Sequence, residues 1–422
     1  MRNLTFITWE VSSECNHGCT YCYNDGSRSN ATVCSSDDNL GAISEFIVSR
    51  PPVSVTISGG EPLLMFDRLK PHIEKLRTHK ILVRILSNGT LITEEIARFC
   101  AKWDIHFLIS FPSADRDAFG TITGQPTSYD KALAGMDLLK KHGVAFQPNM
   151  VVTPANLGTV EETVRFLWQR YAPPSVMVSR ATAPSGAGSD ASSIVLSQKQ
   201  LERMFDLCDR LSGREGIRIK TCGGISLCSI TSVKIGEIFG KVCGRGRSGC
   251  VIAGNGDVRV CTRDSQVYGN IFSDPFEEIC RRMAIWQESP IPEECENCSV
   301  AEICRGGCHM SSMVPNRGPG SLDCHAAPQR KSQIRKPQKR PGKELNPLSR
   351  YQIMPFVAVC ESDCVRLSVG ISYDYFPQEV VAYLDGHREI TTRCALQFWR
   401  EDAPDILERL MRIGAIQECR KV

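Results

Sequence analysis

The cysteine content is the feature that most limits what this chain can fold into. Cysteine occupies 21 of its 422 positions. Disulfide-rich scaffolds are usually short secreted domains, whereas this chain is long. Its N-terminus, MRNLTFITWEVSSEC, has polar and acidic residues where a signal peptide would have its apolar core. We therefore expect a cytoplasmic protein whose thiolates bind a metal ion or a metal cluster.

The rest of the composition is that of an ordinary globular protein. Hydrophobic residues make up 42% of the chain and charged residues 23%, with a formal net charge of +3. This near-neutral balance gives no indication of a nucleic-acid partner or an anionic membrane surface. No apolar run approaches the roughly 20 residues that a membrane span requires. The length predicts two or three domains.

The first half of the chain alternates predicted strands with predicted helices. The helices include Ser128–His142 and Thr159–Tyr171, the second with a capping box formed by Thr159 and Glu162. Six apolar, β-branched runs are the predicted strands: Phe6–Val11, Val53–Ile57, Ile81–Leu86, Ile105–Ile109, Val144–Val152 and Val176–Val178. This alternation predicts an α/β fold with a parallel sheet, either a partial barrel or a doubly wound sheet. In both folds, the catalytic and binding residues lie in the loops that follow the carboxyl ends of the strands.

Changes in texture divide the chain into four predicted parts. Residues 1–215 carry the α/β pattern, and residues 216–328 are rich in Gly and Cys with short strands. Residues 329–350 are a predicted linker, because QRKSQIRKPQKRPGK has seven Lys/Arg residues and two prolines. Residues 351–422 are again globular and predict a small α+β domain.

The first cysteine cluster directly follows the first predicted strand. Cys15, Cys19 and Cys22 have Cys-x3-Cys-x2-Cys spacing, which suits three corners of a cubane iron–sulfur cluster and leaves one iron open. A structural zinc site usually takes four ligands, but a catalytic zinc with three cysteines is an alternative. A third interpretation is buried thiols, although the intervening residues are polar.

These residues resemble those of the radical S-adenosylmethionine (SAM) enzymes, in which an aromatic residue, here Tyr21, precedes the last cysteine. A second match, Ser58-Gly59-Gly60-Glu61-Pro62, is similar to the family's GGEP motif and follows the second strand. The resemblance implies a partial (β/α)6 barrel and a cluster that binds SAM and cleaves it to a 5′-deoxyadenosyl radical. It also implies that Glu61 and neighbouring backbone carbonyls receive the methionine ammonium.

The resemblance implies further cofactor contacts on later strands. Ser87 and Asn88 follow the third strand, and Ser110 ends the fourth, where the family often contacts the ribose. Pro112 stands where the family frequently has Asp, and the loop 121–124 lacks the Arg that often precedes it. Arg180, which ends the sixth strand, is our substitute candidate for the partner of the SAM carboxylate.

In the second cysteine block, eight of the nine cysteines from position 243 to position 324 fall in a regular order. Eight thiolates are the number required for two fully ligated four-iron clusters, and they equally suit two zinc ions. The order resembles a SPASM domain, the auxiliary-cluster module that follows radical SAM barrels. This resemblance implies one cluster on Cys243, Cys250, Cys261 and Cys308, and a second on Cys295, Cys298, Cys304 and Cys324.

The remaining cysteines have less definite roles. Cys222 and Cys228 are ambiguous, with a catalytic or ligand role as one interpretation. Several others lie in apolar or helical sequence and are predicted to be small buried hydrophobic residues: Cys34, Cys100, Cys208 and Cys280. Cys360 and Cys364 form an isolated pair that is more typical of a structural role.

Within this family the substrate is less evident from the sequence. Sulfatase-maturing members have an Asp directly after the cysteine that corresponds to Cys261, and this chain has Thr262 there. The nearby Asp264 is our only candidate for a catalytic base. The two implied auxiliary clusters favour peptide-modifying maturases over small-molecule dehydrogenases, which often have one.

The C-terminal segment supports a peptide substrate. Phe356–Leu367 alternates like a hairpin, and a helical pattern begins at Phe376. The pattern from Leu384-Asp385-Gly386-His387-Arg388 to Gly414 resembles the peptide-recognition elements of ribosomal-peptide maturation. Such elements bind a leader peptide as an added β-strand, and the linker would then raise the local concentration of the core peptide. The alternative is a helical cap on the Cys-rich segment.

Together these residues predict a radical SAM enzyme with three [4Fe–4S] clusters that modifies a precursor peptide. An electron donor such as flavodoxin or ferredoxin is its expected partner. Two other hypotheses are an oxidase, dehydrogenase or epimerase acting on a small molecule or protein side chain, and a zinc-stapled interaction protein.

Overall fold

The computed structural model consists of two compact units, residues 1–336 and 337–422. The boundary lies inside the predicted linker 329–350. The residues that the structure describes are 6–24, 35–182, 193–230, 235, 238, 246, 249–288, 291–312, 322–333, 350–353, 357–361, 364–369, 372–376, 380, 383–384, 389–399, 402–413 and 416–418.

The first unit is built on one sheet of ten described strands. Their order across the sheet is β10-β9-β8-β1-β2-β3-β4-β5-β6-β7. The strands are β1 (Phe6–Ser12), β2 (Ser54–Gly59), β3 (Leu82–Ser87), β4 (His106–Ser110), β5 (Phe146–Val152), β6 (Val176–Arg180), β7 (Ile219–Lys220), β8 (Gly249–Ala253), β9 (Asp257–Arg259) and β10 (Gly269–Asn270).

All pairs from β8 through β1 to β7 are parallel, and β9 and β10 add antiparallel pairs. Strands β1 to β7 stand in chain order, whereas a doubly wound sheet reverses its order at a switch point. The prediction of a partial (β/α)6 barrel is therefore confirmed, and the doubly wound alternative is wrong.

Helices cover one face of this sheet. They are α1 (Asp37–Ser49), α2 (Phe66–Thr78), α3 (Glu94–Lys102), α4 (Arg116–Thr123), α5 (Ser128–Lys141), α6 (Val160–Tyr171) and α7 (Gln198–Arg214). Alternate strand residues such as Val83, Ile85, Phe107 and Ile109 pack with the helices in the hydrophobic core. The other residues of each strand face the interior of the barrel, because successive side chains point to opposite faces.

The predicted capping box of α6 is wrong. The Thr159 hydroxyl accepts a hydrogen bond from Ser113 Oγ at 2.9 Å and donates to the Asn156 carbonyl at 3.1 Å. A short 3₁₀ turn, Leu157–Thr159, leads into the helix and gives Thr159 a ψ of 2° instead of an extended backbone. The Thr159 hydroxyl therefore forms its hydrogen bonds within and beside this turn and does not cap the first amides of α6.

The Cys-rich segment joins the barrel directly. Its strand β8 pairs with β1, and short helical turns follow at Phe276–Met283, Ile285–Glu288, Glu293–Cys295, Ala301–Cys304 and His309–Ser311. Residues Pro328–Gln333, most of which fall within the predicted linker, form a 3₁₀ turn. Arg330 in this turn bonds Glu202 of α7 at 3.0 Å, so the end of the segment packs on the barrel unit.

The second unit has two three-stranded antiparallel sheets. They are β12-β13-β14 (Val357–Glu361, Cys364–Val369, Ser372–Phe376) and β15-β11-β16 (Glu389–Thr391, Arg350–Ile353, Ile416–Glu418). The hairpin prediction is confirmed for the described residues, which begin at Val357. Phe376 ends β14, so the helix predicted from it starts later. Helices Thr392–Trp399 and Ala403–Ile413 bury Trp399, Leu407 and Leu410.

Candidate functional site

The first cysteine cluster lies in the loop after β1, at the carboxyl end of the sheet. Cys15 is exposed, whereas Cys19 and Cys22 are half-buried. The Gly18 and Thr20 amides donate to the Thr123 and Ile122 carbonyls, both at 2.9 Å, so the end of α4 holds the loop. The loop brings all three predicted ligands together.

The three thiols affect one another electrostatically. Burial, followed by the charges of Cys22 and Cys15, raises the pKa of the Cys19 thiol to about 12. Backbone amides of His17 and Asn24 point at the Cys15 and Cys22 sulfurs at 3.4 Å. A positively charged iron–sulfur cluster core would reverse this repulsion, because it stabilises the thiolate form.

The spacing of these thiols favours a cluster over one zinc ion. Among the described residues, three donor atoms lie within 4.8 Å of one another only at Asp323, Cys324 and His325. Sulfurs bound to one zinc through bonds of about 2.3 Å lie about 3.8 Å apart. Cys15, Cys19 and Cys22 do not form such a group, so their three sulfurs do not all lie at the spacing that one zinc ion requires.

The glycine turn after β2 supports the cysteine loop through its backbone. The Gly60 amide donates to the Ser12 carbonyl at 2.6 Å, and the Glu61 amide donates to the Glu14 carbonyl at 2.7 Å. A Cβ at Gly59 would lie 2.1 Å from the Ser12 oxygen, and one at Gly60 would lie 1.9 Å from the Glu14 oxygen. Only glycine permits this contact, and Gly59 also has a φ of +125°.

Glu61 links the glycine turn to the end of β3. Its buried carboxylate accepts hydrogen bonds from the Leu63 amide at 3.0 Å, Ser87 Oγ at 2.9 Å and the Asn88 amide at 2.8 Å. Burial raises the pKa of Glu61 to about 7, although these hydrogen bonds act to lower it. The structure thus unites Glu61 with Ser87 and Asn88, residues predicted from two segments that follow different strands.

Asn16 extends this network into the cysteine loop, and sequence reasoning missed it. Asn88 Nδ2 donates to Asn16 Oδ1 at 2.7 Å, and Asn16 Nδ2 donates to Thr90 Oγ1 at 2.9 Å. The only available sequence signal was its position directly after Cys15. The network fixes the loop relative to β3.

Two tyrosines complete the loop. The predicted contact residue Tyr21 lies close enough to all three cysteines for their charges to raise the pKa of its phenol, so the aromatic residue before the last cysteine is near the cluster site. Tyr23, which sequence reasoning also missed, hydrogen-bonds Ser58 Oγ at 3.2 Å. Burial raises the pKa of both phenols, which keeps them protonated.

The barrel interior next to this site contains polar side chains with unused hydrogen-bonding capacity. Ser110 is half-buried and lies in register with Asn149 of β5. Within the described part of the chain, Asn149 Oδ1, Gln147 Oε1 and Arg84 Nε are buried without a hydrogen-bond partner. Unpaired buried polar atoms are costly, so this interior suits water or a polar ligand.

The predicted SAM-carboxylate partner Arg180 has other contacts. Its buried guanidinium forms an ion pair with Asp323, hydrogen-bonds His325, and donates to the Gly224 carbonyl at 3.3 Å. His325 in turn hydrogen-bonds the Leu196 carbonyl at 2.7 Å through Nε2. Arg180 therefore connects β6 to the Cys-rich segment, and its role in SAM binding stays a prediction.

Asp264 lies in the turn that follows Cys261. Its amide donates to the Cys261 carbonyl at 3.1 Å, and its Oδ1 accepts from the Gln266 amide at 3.0 Å. The side chain is buried. This arrangement stabilises the turn beside a predicted cluster ligand.

The predicted auxiliary ligands fall in different environments. Cys243 lies outside the described residues, as do Cys34 and the motif 385–388. Cys250 pairs with Ile7 in the sheet and is buried in the core on the helix side, where its thiol neighbours that of Cys280. Cys261, Cys295, Cys298, Cys304 and Cys324 are half-buried, and Cys308 is buried.

Comparison with known proteins agrees with this geometry. Residues 9–167 match the model of the radical SAM superfamily. The chain is 28% identical over 328 residues to mycofactocin maturase MftC of Mycolicibacterium smegmatis, covering 74% of this chain and 81% of that protein. It is 26% identical over 324 residues to the AdoMet-dependent heme synthase of Methanosarcina barkeri, covering 71% and 90%.

A solved structure of anSMEcpe with bound AdoMet has the same fold. It superposes with a TM-score of 0.63 at 19% identity and covers 77% of this chain and 95% of that one. In the described part of the present chain, no helix combines the length and apolarity that crossing a membrane requires.

Proposed function

The chain has a radical SAM domain, and we propose that it is a peptide maturase that abstracts hydrogen from a ribosomal precursor and forms a crosslink or an oxidised product. The observation that carries this proposal is that Cys15, Cys19 and Cys22 lie in one loop at the mouth of the barrel. The glycine turn after β2 holds this loop through backbone hydrogen bonds. The similarity to a maturase over 81% of its length supports the peptide substrate.

The residues around the loop suit SAM and a [4Fe–4S] cluster. A carboxylate has about four acceptor sites, and three donors already contact Glu61, so one site remains for the methionine ammonium. Ser110 and Asn149 extend the polar surface into the barrel. When bound, the cluster and SAM supply the 5′-deoxyadenosyl radical that removes a substrate hydrogen.

The barrel interior would receive the residue that is modified. Arg84, Gln147 and Asn149 each offer a buried polar atom there, and the helix-side core below them is apolar and closed to water. Polar groups on rigid strands can orient a peptide segment, and exclusion of water protects a reactive radical.

The Cys-rich segment would hold two auxiliary [4Fe–4S] clusters, for a total of three. Fully ligated clusters transfer electrons and do not bind substrate. They would accept the electron left after bond formation, and a flavodoxin or ferredoxin would reduce the first cluster. These reduced centres fit a cytoplasmic location.

The second unit would bind the leader part of the precursor. Its sheet β12-β13-β14 has β12 at one edge, whereas β14 at the other edge contacts the helix Ala403–Ile413. A peptide can add to such an edge as a further strand.

Asp264 remains the candidate base. An unaltered reaction after Asp264→Asn would exclude this role.

The test uses anaerobically purified, reduced protein with SAM and the peptide encoded by a short reading frame beside the gene. We expect a mass change in the peptide and 5′-deoxyadenosine in proportion to it. Formation of 5′-deoxyadenosine without any peptide mass change would contradict the peptide substrate. Zinc without iron or sulfide in the purified protein would contradict radical chemistry altogether.

A second candidate function is oxidation or epimerisation of a small molecule or a protein side chain. The similarity to a heme synthase over 90% of that protein favours it. Porphyrin-type substrates and a sulfatase-type peptide should then be tried under the same conditions. Conversion of either, with no change in the neighbouring peptide, would favour this candidate.

A further inference from the structure

Three of the four predicted ligands of the outer auxiliary site lie on consecutive turns. Cys295 ends the turn Glu293–Cys295, and Cys304 ends the helix Ala301–Cys304. Between them the Cys298 amide donates to the Cys295 carbonyl at 3.1 Å, and the Ala301 amide donates to the Cys298 carbonyl at 3.1 Å. The three thiols of these turns lie close enough to interact, because the charges of Cys304 and Cys298 both act on Cys295.

A fourth thiol, that of Cys228, lies close to the other three. Cys228 belongs to the 3₁₀ turn Leu227–Ser229, and the preceding amide of Leu227 donates to Cys304 Sγ at 3.2 Å. Burial is the main cause that raises the pKa of the Cys304 and Cys295 thiols, and Cys228 lies close enough to both for its charge to add to that effect.

The Cys228 sulfur also accepts a backbone hydrogen bond, as the sulfur of a cluster ligand does. The Ala327 amide donates to Cys228 Sγ at 3.1 Å, and the turn Pro328–Gln333 that follows packs against both Leu227–Ser229 and Glu293–Cys295. Amide hydrogen bonds to cysteine sulfur stabilise thiolates and tune the potential of iron–sulfur clusters. Cys228 is buried, so its thiol faces the protein and not the solvent.

Cys324 has a different environment. Its sulfur lies 3.2 Å from His325 Nδ1 and 3.9 Å from Arg180 Nη1. Arg180 interacts electrostatically with the thiols of both Cys308 and Cys324. Asp323, the partner of Arg180, accepts a hydrogen bond from the Cys308 amide at 2.9 Å. Cys324 and Cys308 are therefore both close to the ion pair of Arg180 and Asp323.

We propose that Cys228 is the fourth ligand of the site formed by Cys295, Cys298 and Cys304, and that Cys324 serves the site of Cys308. This inference rests on the proposed binding of auxiliary clusters by the Cys-rich segment. It changes the ligand sets implied by the order of cysteines: Cys324 leaves the outer site, and Cys250, whose side chain lies in the helix-side core, leaves the inner one. It also adds to the outer site a residue that precedes β8, so the bound cluster would link residues on both sides of β8 in the chain.

The test counts iron and acid-labile sulfide in variants that lack the first cluster through Cys15→Ala, Cys19→Ala and Cys22→Ala. In this background Cys228→Ala should lose about four iron atoms, as Cys295→Ala does. The matched control Cys208→Ala removes a buried thiol from helix α7 and should retain full iron. A Cys228→Ala protein with as much iron as the control would overturn the proposal.

Double variants identify which thiols share a cluster. Cys228→Ala with Cys295→Ala should lose no more iron than either alone, whereas Cys324→Ala with Cys295→Ala should lose about eight atoms. The reverse pattern would return Cys324 to the outer site. Background protein without iron would instead contradict the auxiliary clusters themselves.

Circular dichroism identifies any variant that fails to fold, and Cys228→Ser then takes the place of Cys228→Ala. Serine keeps an oxygen ligand, so we expect an altered EPR signal for one reduced cluster and an unchanged signal for the other. A spectrum identical to that of the background protein would overturn the proposal.

Discussion

The two cysteine-rich regions differ in how deeply their most buried thiols lie and in what holds the surrounding backbone. In the loop after β1 the sulfurs are exposed or half-buried, and the loop depends on contacts made by other elements, namely the glycine turn, Asn88 and the end of α4. In the second region most of the described predicted ligands are half-buried, but Cys228 and Cys308 are buried, and the neighbouring turns bond one another. One region suits a centre that exchanges ligands with solvent and substrate, and the other suits closed centres that only pass electrons.

This difference has a physical basis in coordination number. Three thiolates leave one iron of a four-iron cluster free to bind SAM, so access must be kept. Four thiolates complete the coordination, and burial then sets the potential.

The largest effect is expected from Gly60→Ala. Its Cβ would lie 1.9 Å from the Glu14 carbonyl oxygen, so the cysteine loop must move. We expect loss of about four iron atoms and of SAM cleavage, with the auxiliary iron retained. Iron analysis and chromatography of 5′-deoxyadenosine measure both.

Gly41→Ala is the matched control, because nothing lies within 4 Å of its Cβ on α1. It should keep full activity and gain about 0.5–1 kcal/mol in stability from its helical position. Full activity in Gly60→Ala would show that the loop does not depend on the glycine turn.

Next in size is Asp323→Asn, which leaves the buried Arg180 without its ion-pair partner. Removal of one member of a buried pair costs about 3–5 kcal/mol. Denaturant unfolding under anaerobic conditions measures this loss. Arg180→Met combined with Asp323→Leu should recover much of it, and a double variant as unstable as Asp323→Asn would contradict the ion-pair explanation.

Glu61→Gln tests the link between the glycine turn and β3. Because burial raises the pKa of Glu61 from 4.5 to about 7, the folded protein binds more protons than the unfolded chain across that range. The free energy of unfolding should therefore fall as pH rises from about 4.5 to about 7. Glu61→Gln should flatten this slope, and an unchanged slope would assign it to other groups.

The same substitution should weaken SAM binding by about 10- to 100-fold, since one charge-assisted hydrogen bond is worth about 1.5–3 kcal/mol. Equilibrium dialysis with the cluster-loaded protein measures the affinity. Glu95→Gln, at the exposed start of α3, is the control for loss of a carboxylate.

The smallest effect is expected from Asn149→Ala in the barrel interior. Its Oδ1 has no hydrogen-bond partner among the described residues, so stability should change by less than about 1 kcal/mol. SAM cleavage in the absence of substrate should change little, whereas substrate turnover should fall about tenfold if the atom orients the substrate. Equal loss in both assays would instead place Asn149 in SAM binding.

Local sequence patterns were sufficient for an α/β fold with a parallel sheet and for the first cysteine cluster, whereas the choice of a partial barrel depended on the family resemblance. The six strands depend on apolar runs, and Cys15, Cys19 and Cys22 lie within eight residues of one another, so spacing alone brings them together. Gly59 and Gly60 were noticed as a motif. That they accommodate the backbone of the cysteine loop became evident only from the contact with Ser12 and Glu14.

Long-range pairs were beyond sequence reasoning. Arg180 bonds Asp323 across 143 positions and Leu227 bonds Cys304 across 77, and no periodicity reports such contacts. Cys250 illustrates the limit for a single residue. Its order in the chain resembles that of a ligand, but its pairing with Ile7 turns the side chain toward the helix layer.

The central claim is that the loop after β1 holds the reactive centre, whereas the second region only transfers electrons. Its most direct test is the triple variant Cys15→Ala, Cys19→Ala, Cys22→Ala, compared with the unmodified protein for iron content and 5′-deoxyadenosine formation. We predict a loss of about four of twelve iron atoms and of all 5′-deoxyadenosine. A triple variant that still cleaves SAM, or that loses no iron, would contradict the claim.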